Sequence, residues 1–325
     1  MVQSKAAASK KGLIRKFFNT QSIGTIIVFV VIFLFFSIKS TRFLSFDNII
    51  NIVRQVSILI IIGMGMTILL IAGQVDLSVG AIVGLTGVTS AMLVVNYSLP
   101  VYLSFIICIF IGGIIGMVNG QIVTKLNIPS LLATLGMLTA VRGFGFVISK
   151  GATIFNPPPS FLWLGAGKFG PIPIPIIVMI IVFLIMLFVQ EKTTFAVHYY
   201  AVGGNITAAH LSGINVQNYI TILFTISGAL SGLGGVISAS RIGVGTGNLG
   251  TGLEFDVITA VVVGGTSIFG GIGNLQRTIL GALIIGVVTN GMIIINLNSF
   301  YQMIAKGLIL IIAVGAETIR HKKAY

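Results

Sequence analysis

Charged residues are scarce in this sequence. Asp, Glu, Lys and Arg make up 8% of its 325 residues, hydrophobic residues make up 56%, and the mean hydropathy is +1.10. A soluble domain is about one quarter charged, because its surface must face water. The apolar runs 22–38, 49–72 and 172–189 approach or exceed the ~18 residues that span a bilayer as a helix. The composition therefore excludes a soluble protein and predicts an all-α membrane protein, since the alternation typical of a membrane β-barrel is absent.

Groups that carry chemistry are also few. The single cysteine, Cys108, can form no internal disulfide, and the three histidines do not lie near cysteines or carboxylates at metal-ligand spacing. Segment 245–250 fits G-x-G-x-x-G, but it follows a predicted membrane helix and lacks the strand that a dinucleotide site needs. No P-loop motif occurs, so the chain does not bind ATP by that route. The sequence predicts no catalytic site, no bound metal and no cofactor.

Topology is the best explanation for the excess of positive charge. The formal net charge is +13, and eight of the nineteen Lys and Arg residues lie in the two tails. Basic flanks remain in the cytoplasm, so we expect both termini there and an even number of spans. No nucleic-acid partner is then expected, and membrane lipid covers the apolar surface.

The apolar runs predict a single transmembrane domain, 22–317, between basic tails at 1–21 and 318–325. The predicted helices are 22–38, 49–72, 77–95, 101–124, 129–148, 173–190, 217–240, 255–269, 275–296 and 301–317. Prolines in the connection 150–172 are expected to exclude helix. The polar connection 191–216 falls on the cytoplasmic side by this count of ten spans.

Two blocks of sequence recur along the chain. The block 75–86 reappears at 255–266, and a second block with an Asn-Gly pair reappears 171 residues later. Equivalent helices then lie five spans apart, and an odd separation gives the two copies opposite orientations. Inverted repeats are common in transporters, with the pathway at the repeat interface. We therefore predict two inverted repeats, at about 49–148 and 217–317. The matched polar pairs are Asp76 with Asp256, Thr86 with Thr266, and Asn119 with Asn290.

Asp76 and Asp256 are the two carboxylates at repeat-related positions next to membrane helices. Acids within a membrane are functional by default, and a proton or sodium relay would use such a pair. Each Asp also precedes an apolar run, and Asp is favoured at the positive end of a helix. We expect both to be helix caps, with an ion relay as the alternative. The other residues assigned to caps or pathway are Ser78, Thr266, Asn119 and Asn290.

A polar segment, 201–215, connects two predicted spans. Asn205 or Thr207 can cap a short helix there, and Gly213 can end it. An ordinary connecting loop is the alternative, and the residues alone leave the two open. The side chains that such a helix would expose to a partner are Ala208, Ala209 and Leu211.

The sequence resembles a known family over about residues 45–315. The matching blocks are VDLSVG at 75–80, VGGN at 202–205, Ala208-Ala209, LSGI at 211–214, EFD at 254–256, VGGTS at 263–267, Asn290-Gly291 and Tyr301-Gln302. Together they resemble the permease subunits of bacterial ABC sugar importers of the ribose/galactose/arabinose type. The glycine-rich turn 270–273 departs from the family pattern, in which a Lys is common, and the next basic residue is Arg277.

The resemblance implies partners and a location. It implies a second permease copy, identical or closely related, together with two cytoplasmic ATPase subunits that bind ATP-Mg. It also implies an extracellular sugar-binding protein and a place in the bacterial inner membrane. The implied coupling helix, which docks into the ATPase, comprises Gly203, Gly204, Asn205, Ala208, Ala209, Leu211, Ser212 and Gly213.

The function expected from the resemblance is passage of a monosaccharide without covalent chemistry. Two alternatives stay open on the residues. The same architecture could carry another small polar solute, such as a branched-chain amino acid, a signalling furanone or a nucleoside. A secondary transporter driven by an ion gradient is the alternative of a different class.

Overall fold

A computed structural model of the chain describes residues 20–324, most of which are helical. Residues 1–19 of the predicted N-terminal tail lie outside this range. A 3-10 turn at Thr41–Leu44 follows α1, and a two-stranded antiparallel hairpin pairs β1 (Lys168–Phe169) with β2 (Ile172–Pro173). The helices are α1 (Thr20–Lys39), α2 (Phe46–Ile71), α3 (Val79–Val95), α4 (Val101–Lys125), α5 (Ser130–Ser149), α6 (Pro159–Ala166), α7 (Ile174–Lys192), α8 (Thr194–Gly204), α9 (Ile206–Leu211), α10 (Val216–Ile242), α11 (Leu253–Val263), α12 (Leu275–Ile294) and α13 (Ser299–Ala324).

Among the described residues, seven helices are long and apolar enough to cross a membrane: α2, α4, α5, α7, α10, α12 and α13. The apolar part of α1 and the whole of α3 are shorter apolar helices. The helix predicted at 255–269 is α11, which ends at Val263 because Gly264 and Gly265 follow, the latter with φ +90°. Such a left-handed glycine commonly ends a helix. At the C-terminus, α13 continues to Ala324, past the predicted end at 317.

The connection 150–172 corrects a prediction, because it contains a helix. Proline has no N–H to donate, but the first turn of a helix needs no internal donors, so proline is tolerated there. The third consecutive proline, Pro159, is the first residue of α6. Phe161 on this helix is fully buried, and the Ser240 hydroxyl of α10 donates to its carbonyl oxygen at 2.6 Å. The prolines therefore start a helix that is packed on α10.

Two long helices, α2 and α10, form the centre of the bundle. They pack against each other, and α10 also contacts α3, α4 and α6, whereas α2 also contacts α7, α11 and α12. Further contacts join α3 to α4 and α5, and join α11 to α12 and α13. Most residues of α2 from Val56 onward are buried, so a polar change in this helix has no route to solvent.

Glycines allow α10 to approach α4 closely. Gly112, Gly116 and Gly120 lie on one face of α4, where the first two lie opposite Gly228 and Gly232 of α10 and the third lies opposite Thr221. A methyl carbon at position 112 would lie 2.9 Å from the Cα of Gly232, and one at position 232 would lie 2.8 Å from the Cys108 carbonyl oxygen. In lipid, helices associate through van der Waals contact rather than the hydrophobic effect, so small residues at an interface add contact area. The four-residue spacing of these glycines thus serves helix packing.

We predict that Gly120→Ala destabilises the bundle. The added methyl carbon would lie 2.6 Å from the Cα of Thr221, so the backbones must separate, at a cost of about 1–3 kcal/mol. Gly136→Ala on α5 is the matched control, because nothing lies within 4 Å of its added methyl carbon. Thermal unfolding of the purified proteins in one detergent should show a lower apparent Tm for the first variant only. Equal Tm values for both variants would contradict close packing at this interface.

Candidate functional site

The short helix α9 stands at the end of the bundle where α2 finishes and α10 begins. The Asn205 side chain caps it by accepting from the backbone N of Ala208 at 2.9 Å, and Gly213 follows it with φ +84°. Leu211 is 82% exposed and Ile206 is 50% exposed. The helix therefore presents two large apolar side chains outward, as a docking element would.

One expectation for α9 was wrong. Ala209 is only 3% exposed and faces the bundle, so it is not available to a partner. On a helix of six residues, the inward face takes about one residue in three or four. Ala208, Ser212, Gly204 and Gly213 are exposed, as is Asn205.

The segment before α9 is packed tightly against the bundle. Gly203 lies so close to the last turn of α2 that a side chain there would overlap the Ile71 carbonyl oxygen. The backbone N of Gly271 donates to that same oxygen at 2.8 Å. Tyr200 donates its hydroxyl to the carbonyl of Gly273 at 2.7 Å. We call these contacts of α8 with the end of α2 and the turn 270–273 the α8 junction.

The Tyr200 hydroxyl is a dependable donor in the α8 junction. Burial raises the pKa of Tyr200 to about 12, although the nearby Arg277 charge opposes this shift. The phenol therefore stays protonated throughout the physiological pH range. Next to this bond, the Gln190 side chain accepts from the backbone N of Leu275 at 3.1 Å, and the Gln276 side chain donates to Glu191 at 3.0 Å. The turn between α11 and α12 is thus attached to both α7 and α8.

Beside α9 lies a groove of about 800 Å³ between the α4–α5 connection and the start of α10. Its walls are mixed, because apolar side chains alternate with amides and hydroxyls. The residues that line it are Gln74, Val123, Thr124, Asn127, Ile128, Pro129, Ser130, Ile206, His210, Gly213, Ile214, Asn215, Val216, Gln217 and Ile220.

Asp76, Ser78 and Asn119 form a buried polar cluster at the start of α3. Asp76 Oδ1 accepts from the backbone N of Ser78 at 2.9 Å and from its hydroxyl at 2.6 Å, and Asn119 of α4 donates to the same hydroxyl at 2.8 Å. Thr134 of α5 accepts from the backbone N of Leu77 at 3.1 Å. Each of these polar side chains is fully buried. Thr134 of α5 and Asp76 itself thus satisfy backbone N–H groups of the irregular segment before α3, as a membrane interior requires.

Asp256 has a different environment from its sequence counterpart Asp76. It lies in the first turn of α11, whose N-cap residue is Gly252, and its Oδ2 accepts from Lys306 Nζ of α13 at 2.6 Å. The expectation that both are helix caps was wrong for the N-cap position, which Ser78 holds in α3 and Gly252 in α11. Asp76 bonds to Ser78 in the turn before α3, whereas Asp256 joins two helices through an ion pair.

The members of the two remaining polar pairs at repeat-related positions also lie apart. Asn290 forms two reciprocal amide bonds with Asn48 at the start of α2, at 3.1 and 2.9 Å. Thr266 is buried and its hydroxyl has no partner among the described residues. The structure therefore brings Asp76, Ser78 and Asn119 together, and leaves Asp256, Thr266 and Asn290 outside that cluster.

Several charged residues of the bundle were not predicted from the sequence to be functional or structural. Arg142 of α5 donates to the carbonyls of Gly247 and Leu249 at 3.2 and 3.0 Å, and it attracts the buried Glu254. Arg54, Arg241 and Lys306 also lie in or at the end of apolar helices. Their rarity was the sequence signal that could have identified them, because a charged residue inside an apolar membrane helix is usually functional or paired.

A second cavity lies between the central helices, in the half of the bundle remote from α9. Its volume is about 220 Å³, and we call it the interhelix cavity. Apolar side chains of α2, α3 and α12 form much of its wall. The polar residues that line it are Gln55, Ser238, Arg241, Thr251, Asp256 and Thr289.

A bundle of apolar helices with internal polar contacts, a cavity between its central helices and an exposed helix at one end has the architecture of a multi-pass membrane permease. Comparison with known sequences gives the family. The family described as branched-chain amino acid transport system / permease component matches residues 48–314. The chain belongs to this family, and is a multi-pass protein of the bacterial inner membrane.

Individual relatives cover nearly the whole chain. YphD of Escherichia coli, described as a probable ABC transporter permease, is 36% identical over 98% of this chain and 94% of its own length. The ribose import permease RbsC of Haemophilus influenzae is 38% identical over 90% and 91%, respectively. The D-allose transport system permease AlsC of Escherichia coli is 33% identical over 91% of each chain. No solved structure matches the chain significantly.

We predict that Asp256→Asn destabilises the protein by leaving Lys306 without its counter-charge. The two side chains are 18% and 29% exposed, so water compensates only partly, and the expected loss is about 1–3 kcal/mol. The double variant Asp256→Asn/Lys306→Met should recover part of it, because no unpaired charge remains. Apparent Tm values of the unaltered protein, both single variants (Asp256→Asn and Lys306→Met) and the double variant measure the coupling, and additive effects would contradict a direct ion pair.

Proposed function

We propose that this chain forms the translocation pathway of an ABC importer for a monosaccharide. The cargo follows from the relatives, whose names specify ribose and D-allose. The energy source must be a partner, because the sequence contains no P-loop. Two cytoplasmic ATPase subunits would hold ATP-Mg, and an extracellular binding protein would deliver the sugar. A second permease copy, identical or related, completes the assembly, and the chain itself performs no covalent chemistry.

Inverted repeats are part of the proposal. The contacts of the bundle support them, since they fall into matched pairs: α4 on α10 with α12 on α2, α3 on α5 with α11 on α13, and α3 on α10 with α11 on α2. Counting ten apolar helices, each helix of one set lies five spans from its partner. An odd separation reverses the direction of the helix in the membrane. Both termini and α9 then lie in the cytoplasm.

Coupling to the ATPase would run through the α8 junction. A force on the exposed residues of α9 moves α8, which directly precedes it. At Gly203, α8 touches the end of α2, and at Tyr200 it holds the turn that leads into α12. These two helices belong to different proposed repeats and pack on each other. A displacement of α8 would therefore act on the interface between the repeats, where the pathway of an inverted-repeat transporter lies.

Reconstitution tests this function. The chain is purified with its cognate ATPase and incorporated in proteoliposomes, and uptake of labelled ribose, allose and arabinose is measured with the binding protein outside. We expect uptake only when ATP and the ATPase are present on the opposite side. Uptake by the chain alone under a sodium or proton gradient would instead identify a secondary transporter and contradict the proposal.

We predict that Leu211→Asp uncouples transport from the ATPase. The side chain is exposed, so the change should leave folding intact while placing a charge in the apolar docking contact, which desolvation makes unfavourable. Phe169→Asp is the matched control, because Phe169 is similarly exposed in the hairpin at the other end of the bundle. ATP-driven uptake and copurification of the ATPase should fall about tenfold or more for the first variant only. Normal uptake by Leu211→Asp would exclude α9 as the docking element.

A further inference from the structure

Two arginines of the bundle, Arg54 and Arg241, have no carboxylate partner among residues 20–324, and we call them the arginine pair. The sequence has six acidic residues. The Asp76 carboxylate accepts from Ser78, Glu191 accepts from Gln276, Glu254 attracts Arg142, and Asp256 pairs with Lys306. Asp47 is exposed in the first turn of α2, and Glu317 has an interaction of its own. Within residues 20–324, no salt bridge reaches the arginine pair.

The arginine pair is not neutralised by other contacts. Arg54 lies in the third turn of α2, where its Nε is buried and has no hydrogen-bond partner among the described residues. Arg241 lies in the last turn of α10 and lines the interhelix cavity. The two positive charges are close enough to repel each other, and both are partly buried. The negative end of α10 favours Arg241, but it offers nothing to the buried Nε of Arg54. A buried charge without a counter-charge is unfavourable, so a negative group from elsewhere would stabilise this region.

Apart from Arg241 and Asp256, the polar residues that line the interhelix cavity are neutral hydrogen-bonding groups. Gln55, Ser238 and Thr289 line the cavity, and none of their side chains has a hydrogen-bond partner among the described residues. Asp256 also lines it, but Lys306 holds that carboxylate. The cavity therefore combines a free guanidinium group with neutral hydrogen-bonding groups. That combination suits a small polar molecule that bears an oxyanion.

We propose that the interhelix cavity binds the carboxylate or phosphate of a sugar-sized solute, with Arg241 in direct contact and Arg54 as a second positive charge. A guanidinium group donates two parallel hydrogen bonds to either oxyanion, which a neutral hydroxyl cannot accept equally well. The cavity lies between α2 and α10, and α12 forms its opposite wall. The inference that the ligand is a sugar depends on the proposed function, whereas the inference that it carries an oxyanion depends on the arginine pair.

Ligand pairs that differ only in charge test the proposal on the unaltered protein. The full-length chain, copurified with its ATPase in lipid nanodiscs, is titrated with D-galacturonate against D-galactose and with glucose 6-phosphate against glucose. Binding is measured by calorimetry and by the shift in apparent Tm. We expect one acidic sugar to bind about tenfold or more tightly than its neutral partner, with an affinity that falls as salt rises. Whether galacturonate or glucose 6-phosphate responds distinguishes a carboxylate from a phosphate ligand.

Variants then assign the contact to the arginine pair. Arg241→Gln should weaken binding of the acidic sugar about tenfold or more, and Arg241→Lys should retain part of it. Arg42→Gln is the matched control, because Arg42 is exposed in the 3-10 turn at the same end of the bundle and does not line the cavity. Its loss of one positive charge should leave the affinity unchanged.

Several outcomes would overturn this inference. The first is equal affinity for acidic and neutral sugars, and the second is unchanged affinity for the acidic sugar in Arg241→Gln. The third is binding of an acidic peptide but of no acidic sugar, which would show that the arginines contact a protein. If Arg241→Gln does not fold, the comparison of ligands on the unaltered protein still decides. ATP-driven uptake of a neutral sugar without binding of an acidic one would defeat only the oxyanion site. Binding of an acidic sugar without ATP-driven transport would defeat only the proposed function.

Discussion

The close approach of α10 to α4 is the contact on which the rest of the bundle depends. Lipid tails are as apolar as the helix surfaces, so burial from water cannot drive these helices together, and direct atomic contact must do so. Glycines at every fourth position remove the side chains that would hold the two backbones apart. Because α10 runs from α9 to the interhelix cavity, its packing against α4 determines the positions of α9 and of the cavity. The exposed helix and the cavity are thus two ends of one packed element.

Buried polar groups impose the second constraint. The backbone is irregular before α3 and before α11, and unpaired N–H and C=O groups are costly where no water reaches them. Protein groups satisfy the first segment through Thr134 and Asp76, and Arg142 binds two carbonyls of the second. Both irregular segments are therefore held by side chains from other helices. The paired polar residues are therefore structural, whereas the two positive charges of the arginine pair have no carboxylate partner among the described residues.

Helix positions were largely predictable, since hydropathy is a property of a local run. Each of the ten predicted helices corresponds to a helix of the structure, with ends that differ by a few residues in most cases. The cap at Asn205 could also be predicted, because a capping side chain bonds to a backbone group three residues away. The helix at Pro159, the burial of Ala209 and the early end of α11 were missed. The first two depend on packing against another segment, whereas Gly264 and Gly265 were a local signal for the early end of α11.

The sequence by itself determined that the chain resides in a membrane, that it lacks an ATP-binding loop, and to which family it belongs. These properties follow from composition and from motifs that are continuous along the chain. Only the tertiary structure decided which charges meet. It gave Asp76 and Asp256 different environments, although they match in sequence. It also placed Arg241 in a cavity whose one carboxylate, Asp256, is paired with Lys306. The physical reason is that a charge finds its partner in space, on helices that lie tens or hundreds of residues apart in the chain.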